Sequence, residues 1–297
     1  MLHTEIASPR YRALDTWDDA DILTALLEGQ LNAIAAVRAA LPQLQQAAAA
    51  IVARLQNPRS RLVYIGAGAS GHLALQDGME MPTTYGWSAE RLVLLMAGGD
   101  AARLSPDGSR EDDASGGAEA IDLHAIGADD VIIAVAASGG TPYTVAALQA
   151  AGRRGALTIG IANNPDTALL RAADYPILLA TGPEVIAGST RLNAGTAQKA
   201  ALGMLSTLVM VKLGHVIDGF MVNMTVDNAK LRERAVSILT AITDCDRAAA
   251  LTALDHCQGQ IKPAALVVQG LSFEQAQNLL QQTHGRLREA LMQLSSR

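Results

Sequence analysis

Aromatic side chains make up only 3% of these 297 residues: two Trp, five Tyr and two Phe. A core must therefore be built from Ala, Val, Leu and Ile. Cysteine is nearly absent too. Cys245 and Cys257 are the only two, too few for a disulfide framework and without a CxxC metal pattern, which predicts a reducing, cytoplasmic setting. No cluster of Lys and Arg marks a nucleic-acid footprint, and the net charge is −6, so nucleic acid is not an expected partner. Apolar runs are interrupted before membrane-spanning length. The first 19 residues, MLHTEIASPRYRALDTWDD, are polar and charged, so no signal peptide is expected. What the chain has in quantity is aliphatic bulk. At 49% hydrophobic, it can bury a large core, as one large domain with a small appendage.

The organising stretch is Val131–Tyr143, VIIAVAASGGTPY. A β-branched, small-apolar run predicts a buried strand. Ser138-Gly139-Gly140-Thr141 then breaks it, and Pro142 suits the first position of a helix. Strand, hydroxyl-rich glycine turn and helix N-terminus together favour an anion, because the helix dipole and the unpaired N–H groups point at it. The reading is a sugar phosphate held at this turn, against the plainer one of local hydroxyl caps.

In chain order, residues 1–15 read as an extended arm. Helical spacing runs from about Thr16, with Thr16 and Asp19 as a short capping box. A second helix runs from Pro42 to about Leu55. The strand Arg61–Ile65 is followed by Gly66-Ala67-Gly68-Ala69-Ser70-Gly71. Gly66, Gly68 and Gly71 match a dinucleotide fingerprint, but the acid at the expected distance, Glu90, precedes its strand instead of ending it. A compact phosphate is the other reading, supported by the hydroxyl at Ser70. A helix carrying Glu80 is expected to stop at Pro82. The acidic trio Glu111-Asp112-Asp113 is either a solvated helix start or a carboxylate source. Strands at 91–96, 131–136, 156–161 and 175–179 alternate with helices. They predict an α/β fold, doubly wound on a mostly parallel sheet, with ligands at the strands' carboxyl ends. A polar turn, 182–199, feeds an apolar helix, 200–213, and Gln198 and Lys199 read plainly as solvated surface. The expected parts are an N-terminal arm and helices (1–57), a sugar-phosphate domain (58–242) and a small helical C-terminal domain (243–297).

Five stretches carry a resemblance: GAGASGHLALQDGMEMPTTYG (66–86), EDD (111–113), AASGGTPY (136–143), GPEVIAGSTRLNAGTAQKAALGMLST (182–207) and DNAKLRERAV (227–236). Together they resemble the N-acetylmuramic acid 6-phosphate etherases of the sugar isomerase (SIS) fold, a branch related to the glucokinase regulatory proteins. The resemblance implies a three-layer α/β/α sandwich and a carbon–oxygen lyase of cell-wall sugar recycling. D-lactate is eliminated and water added back, to give N-acetylglucosamine 6-phosphate. It implies Glu80 as acid, Glu111 as base, no metal or other cofactor, and a homodimer whose interface could use helix 200–213. The acid would need an apolar pocket, from Met79, Met81 and Pro82, to hold its proton near neutral pH, while Glu111 should stay ionised nearer solvent. The phosphate contacts expected are Ser70, Ser138 and Thr141 with the amides of Gly71 and Gly139, then Ser189, Thr190, Arg191 and Lys199.

Four positions depart from the family pattern. His72 and Gly140 stand where arginine is usual, Met81 where cysteine is, and Asn193 where lysine is. Each lost charge-assisted contact is worth about 1.5–3 kcal/mol, so lactyl ether specificity is where divergence would show. A sugar-phosphate-binding regulator and a sugar-phosphate isomerase are the alternatives on the same fold.

Overall fold

Short runs of branched aliphatic residues pair side by side because both faces of each strand are apolar. The strands are β1 (Leu62–Gly66), β2 (Leu92–Met96), β3 (Val131–Val135), β4 (Leu157–Ala162) and β5 (Tyr175–Leu178). They form one parallel sheet in the order β2-β1-β3-β4-β5. Every residue of β1, β3 and β4 is buried. The computed structural model describes residues 1–100, 108–226 and 228–295.

Two compact units divide the chain: Met1–Met79 with Glu90–Ser206, and Glu80–Ala89 with Thr207–Arg297. The segment 1–57 lies in the first unit and 243–297 in the second. In the first, helix α2 (Leu41–Leu55) packs on β3, β4 and β5. Helices α4 (Ala114–Leu123) and α5 (Pro142–Arg153) pack on each other, and α5 on β1, β3 and β4. The α4–α5 approach is close enough that a Cβ on Gly117 would lie 2.2 Å from the Tyr143 carbonyl oxygen.

Helix α1 (Asp19–Ala39) precedes α2. Its N-cap is Asp18, without a side-chain cap bond, so the Thr16–Asp19 box is not formed. Thr16 lies instead in a 3-10 turn, its hydroxyl donating to the Ala13 carbonyl. The N-terminal arm is not extended either, but folds into 3-10 turns at His3–Glu5, Pro9–Tyr11 and Leu14–Thr16. Helix α3 (Gly68–Tyr85) runs through Pro82. A proline removes one intrahelical bond, and the helix resumes at once, Gly86 N–H donating to the Pro82 carbonyl.

The second unit is helical: α8 (Ala229–Thr243), α9 (Arg247–His256), α10 (Ile261–Val268), α11 (Phe273–Gln282) and α12 (Leu287–Ser295). Asn228 caps α8, Asp246 caps α9, and Ser272 with Gln275 forms the predicted capping box of α11. Its core is aliphatic, including Val236, Leu239, Leu254, Leu266 and Leu287.

Candidate functional site

At the end of β3 the chain turns through Ser138–Thr141 into α5. Gly139 takes the left-handed conformation at φ 65°. Its N–H donates to the Ala136 carbonyl and its carbonyl accepts from Leu169 N–H. Thr141 is the N-cap residue, yet its hydroxyl makes no cap bond. It faces the Ser138 hydroxyl at 3.3 Å instead, and Ser138 also accepts from Gly140 N–H at 3.1 Å. The N–H groups of Tyr143 and Thr144, in the first turn of α5, donate to nothing among the described residues. Two hydroxyls and two helix-end amides therefore stand together at the positive end of a dipole, an arrangement suited to an oxyanion.

The amides differ from expectation. Gly139 N–H is committed to Ala136 and Gly71 N–H to the Ala67 carbonyl, so the donors are Tyr143 and Thr144. Gly71 serves packing: a Cβ there would lie 2.8 Å from the Gly66 carbonyl carbon. Such a requirement reads as a fingerprint glycine in sequence whether or not a nucleotide binds. Ser70 is buried nearby, in the first turn of α3.

The turn is braced from β4. Asn164 donates to the Ala137 carbonyl at 2.9 Å and to the Thr4 hydroxyl at 3.1 Å, tying the N-terminal arm to this edge. Asn163 donates to the Leu179 carbonyl and accepts from Gln198 Nε2 at 2.9 Å. Gln198, expected on a solvated surface, is fully buried. Its Oε1 has no hydrogen-bond partner, nor has the Thr167 hydroxyl beside Gly139.

Helix α7 (Asn193–Lys212) starts seven residues before the expected 200. The cause is Glu184, fully buried, whose two carboxylate oxygens accept from Asn193 N–H at 2.8 Å and Ala194 N–H at 2.9 Å. Burial raises its pKa, and those two bonds oppose the rise. A carboxylate reaching a helix end from nine residues upstream has no local sequence signature. It also fills the N-terminus of α7, leaving that of α5 for a ligand. Ser189 and Thr190 are half-buried in the preceding loop, and Arg191 is exposed. Lys199, half-buried on α7, has its Nζ 4.0 Å from where a Gly203 Cβ would lie. Asn193 is buried against Gly29 of α1, and Gly140 is exposed.

Glu111 lies in a 3-10 turn, Gly108–Asp112, next to the start of α3. A Cβ on Gly68 would lie 2.7 Å from Glu111 Oε1. Burial, then the charge of Asp112, raises its pKa. Glu111 is thus less freely ionised than expected. Asp113 caps α4, accepting from Gly116 N–H at 2.8 Å.

Sequence comparison then decides the family. The chain matches the SIS domain over residues 115–208 and the Glucokinase regulatory protein N-terminal SIS domain over 43–152. It is 45% identical to an N-acetylmuramic acid 6-phosphate etherase of Deinococcus radiodurans, over 97% of this chain and 94% of that protein. It is 39% identical to one of Edwardsiella ictaluri, over 97% and 96%. The chain belongs to the N-acetylmuramic acid 6-phosphate etherase family. A solved structure titled as a phosphosugar isomerase involved in capsule formation, from Bacteroides fragilis, has a TM-score of 0.50 at 20% identity, over 67% of this chain and 94% of that one. That likeness shows the shared fold.

Against the etherase expectation, Glu80 is not in an apolar pocket of its own chain. It is exposed, as is Met79, while Met81 is buried. The cause is the unbroken helix. On α3, residues 79 and 80 are exposed while 77, 78 and 81 are buried.

Proposed function

We propose that this chain cleaves the D-lactyl ether of N-acetylmuramic acid 6-phosphate, giving N-acetylglucosamine 6-phosphate and D-lactate. The observation that carries it is the near full-length 45% identity to a protein of that name. The phosphate would dock on Ser138, Thr141 and the Tyr143 and Thr144 amides, with Ser70, Ser189, Thr190, Arg191 and Lys199 as further contacts. Glu111 takes the C2 proton of the ring-opened sugar. Its raised pKa makes it the stronger base for a carbon acid. The C–H electron pair forms the C2–C3 double bond, the C3–O bond breaks, and Glu80 gives its proton to the departing lactate oxygen. Water then adds at C3 and a proton returns to C2, so the sum is one water consumed.

A homodimer fits the shape of α1. Its Ala25, Gly29, Ala33 and Val37 are buried, while Leu23, Leu27, Leu31 and Ile34 are each at least 50% exposed. A helix apolar on both sides has both sides covered, and a second copy is the cover we infer. The helix is long and apolar enough to cross a membrane by length and composition, but the buried small-residue face packs it against its own unit. Helix 200–213 stays a second interface candidate: Ala201, Leu202, Leu205, Val209 and Met210 are buried within the chain, but Met204 and Val211 are exposed. The two free cysteines suit a cytoplasmic protein.

Incubation with N-acetylmuramic acid 6-phosphate and assay of D-lactate tests the reading. Ligand-dependent heat stabilisation without lactate from well-folded protein would replace it with a binding regulator. An aldose–ketose interconversion product would replace it with an isomerase.

A further inference from the structure

The second unit holds a cavity of about 530 Å³ that the lyase chemistry does not use. Its polar lining is Asn223, Thr225, Gln258, Gln260, Gln277 and Lys262, and among the described residues none of the lining is acidic. Lys262 is 8% exposed. Its ammonium donates to the Gly285 carbonyl at 2.6 Å and makes no ion pair among the described residues. An ammonium has three donors, so one is satisfied by protein. Burial alone lowers its pKa, to about 8. A buried cation without a counter-charge is costly unless an anion accompanies it.

The backbone adds to this. Lys262 occupies the second position of α10, whose N-cap residue, Gln260, makes no side-chain cap bond. The N–H groups of Ile261 and Lys262 donate to nothing among the described residues. The start of α10, Lys262 and a carboxamide-rich wall line one cavity, and each favours negative charge or hydroxyl groups.

We propose that this cavity is a second, non-catalytic oxyanion site, for the phosphate or carboxylate of a small hydroxylated metabolite. Lys262 supplies the charge, and the carboxamides of Gln258, Gln260 and Gln277 hold hydroxyl groups. The site is separate from the turn at 138–141 and does not depend on what that turn binds.

The test uses the full chain carrying Ser138→Ala and Thr141→Val, which removes both hydroxyls of the turn at 138–141 and weakens anion binding there. Calorimetric titration with inorganic phosphate, and separately with D-lactate, reads the second site. One equivalent of either anion should bind. Both Lys262→Met and Gln277→Leu should weaken that binding at least about tenfold, or 1.4 kcal/mol. Gln277→Leu leaves the Lys262–Gly285 bond in place, which covers the case where Lys262→Met misfolds. Phosphate binding alone assigns a phosphate ester, and lactate binding alone a carboxylate. No binding of either anion at tens of millimolar, or binding unchanged in both variants, overturns the proposal.

Discussion

Two adjacent glycines in the turn between β3 and α5 should respond very differently to the same substitution. At Gly139 an alanine Cβ would sit 2.3 Å from the Thr167 Oγ1 and 2.5 Å from its Cβ, on a backbone at φ 65°. At Gly140 it would meet nothing within 4 Å. Left-handed backbone costs a residue with a Cβ about 1–2 kcal/mol. Forcing atoms into a packed site costs about 1–3 kcal/mol more. Gly139→Ala should therefore lose about 2–5 kcal/mol, and Gly140→Ala should stay within about 0.5 kcal/mol of the parent. Thr167→Gly removes all three clashing atoms, Oγ1, Cβ and Cγ2, the hydroxyl among them being buried without a partner. Combined with Gly139→Ala, it should recover the packing part, leaving about 1–2 kcal/mol from the backbone. Urea unfolding of the four variants and the parent gives the cycle, and phosphate affinity should fall with Gly139→Ala alone. Equal costs at 139 and 140, or strict additivity of 139 with 167, would refute this account of the turn.

Glu80→Gln and Glu111→Gln should each lower lactate release at least about a hundredfold while leaving urea stability within about 0.5 kcal/mol of the parent; near-parental turnover in either variant would remove that glutamate's role. Glu184→Ala leaves two buried N–H groups unpaired and should cost about 2–4 kcal/mol, read in unfolding, with the first turn of α7 losing hydrogen-exchange protection. Lys262 is held near pKa 8 in the folded chain and returns to about 10.5 on unfolding. Between those values the unfolded state binds the extra proton, so stability rises with pH, by about 3 kcal/mol in all. In phosphate-free buffer the parent should show this rise and Lys262→Met should lack it; identical pH profiles would remove the burial argument.

The sheet was legible because its strands are short, mostly apolar and β-branched runs set between turn residues, and period and punctuation agree there. The turn from β3 into α5 was legible for the same reason. Serine, two glycines, threonine and proline each have a local conformational meaning. What stayed hidden depends on distant partners. Glu184 starts α7 from nine residues away. Gln198 is polar in sequence but buried because Asn163 accepts its amide. Pro82 reads as a stop but lies within α3. The exposure of Glu80 and of the α1 stripe concerns surfaces, which composition does not locate.

The central claim is elimination followed by hydration, and labelling both atoms of the added water reads it directly. Turnover of N-acetylmuramic acid 6-phosphate in ¹⁸O-labelled heavy water should place deuterium at C2 and ¹⁸O at C3 of the N-acetylglucosamine 6-phosphate, with no ¹⁸O in the ether oxygen that leaves with D-lactate. The original hydrogen retained at C2, ¹⁸O in that lactate oxygen, or no lactate at all from folded protein would contradict the account.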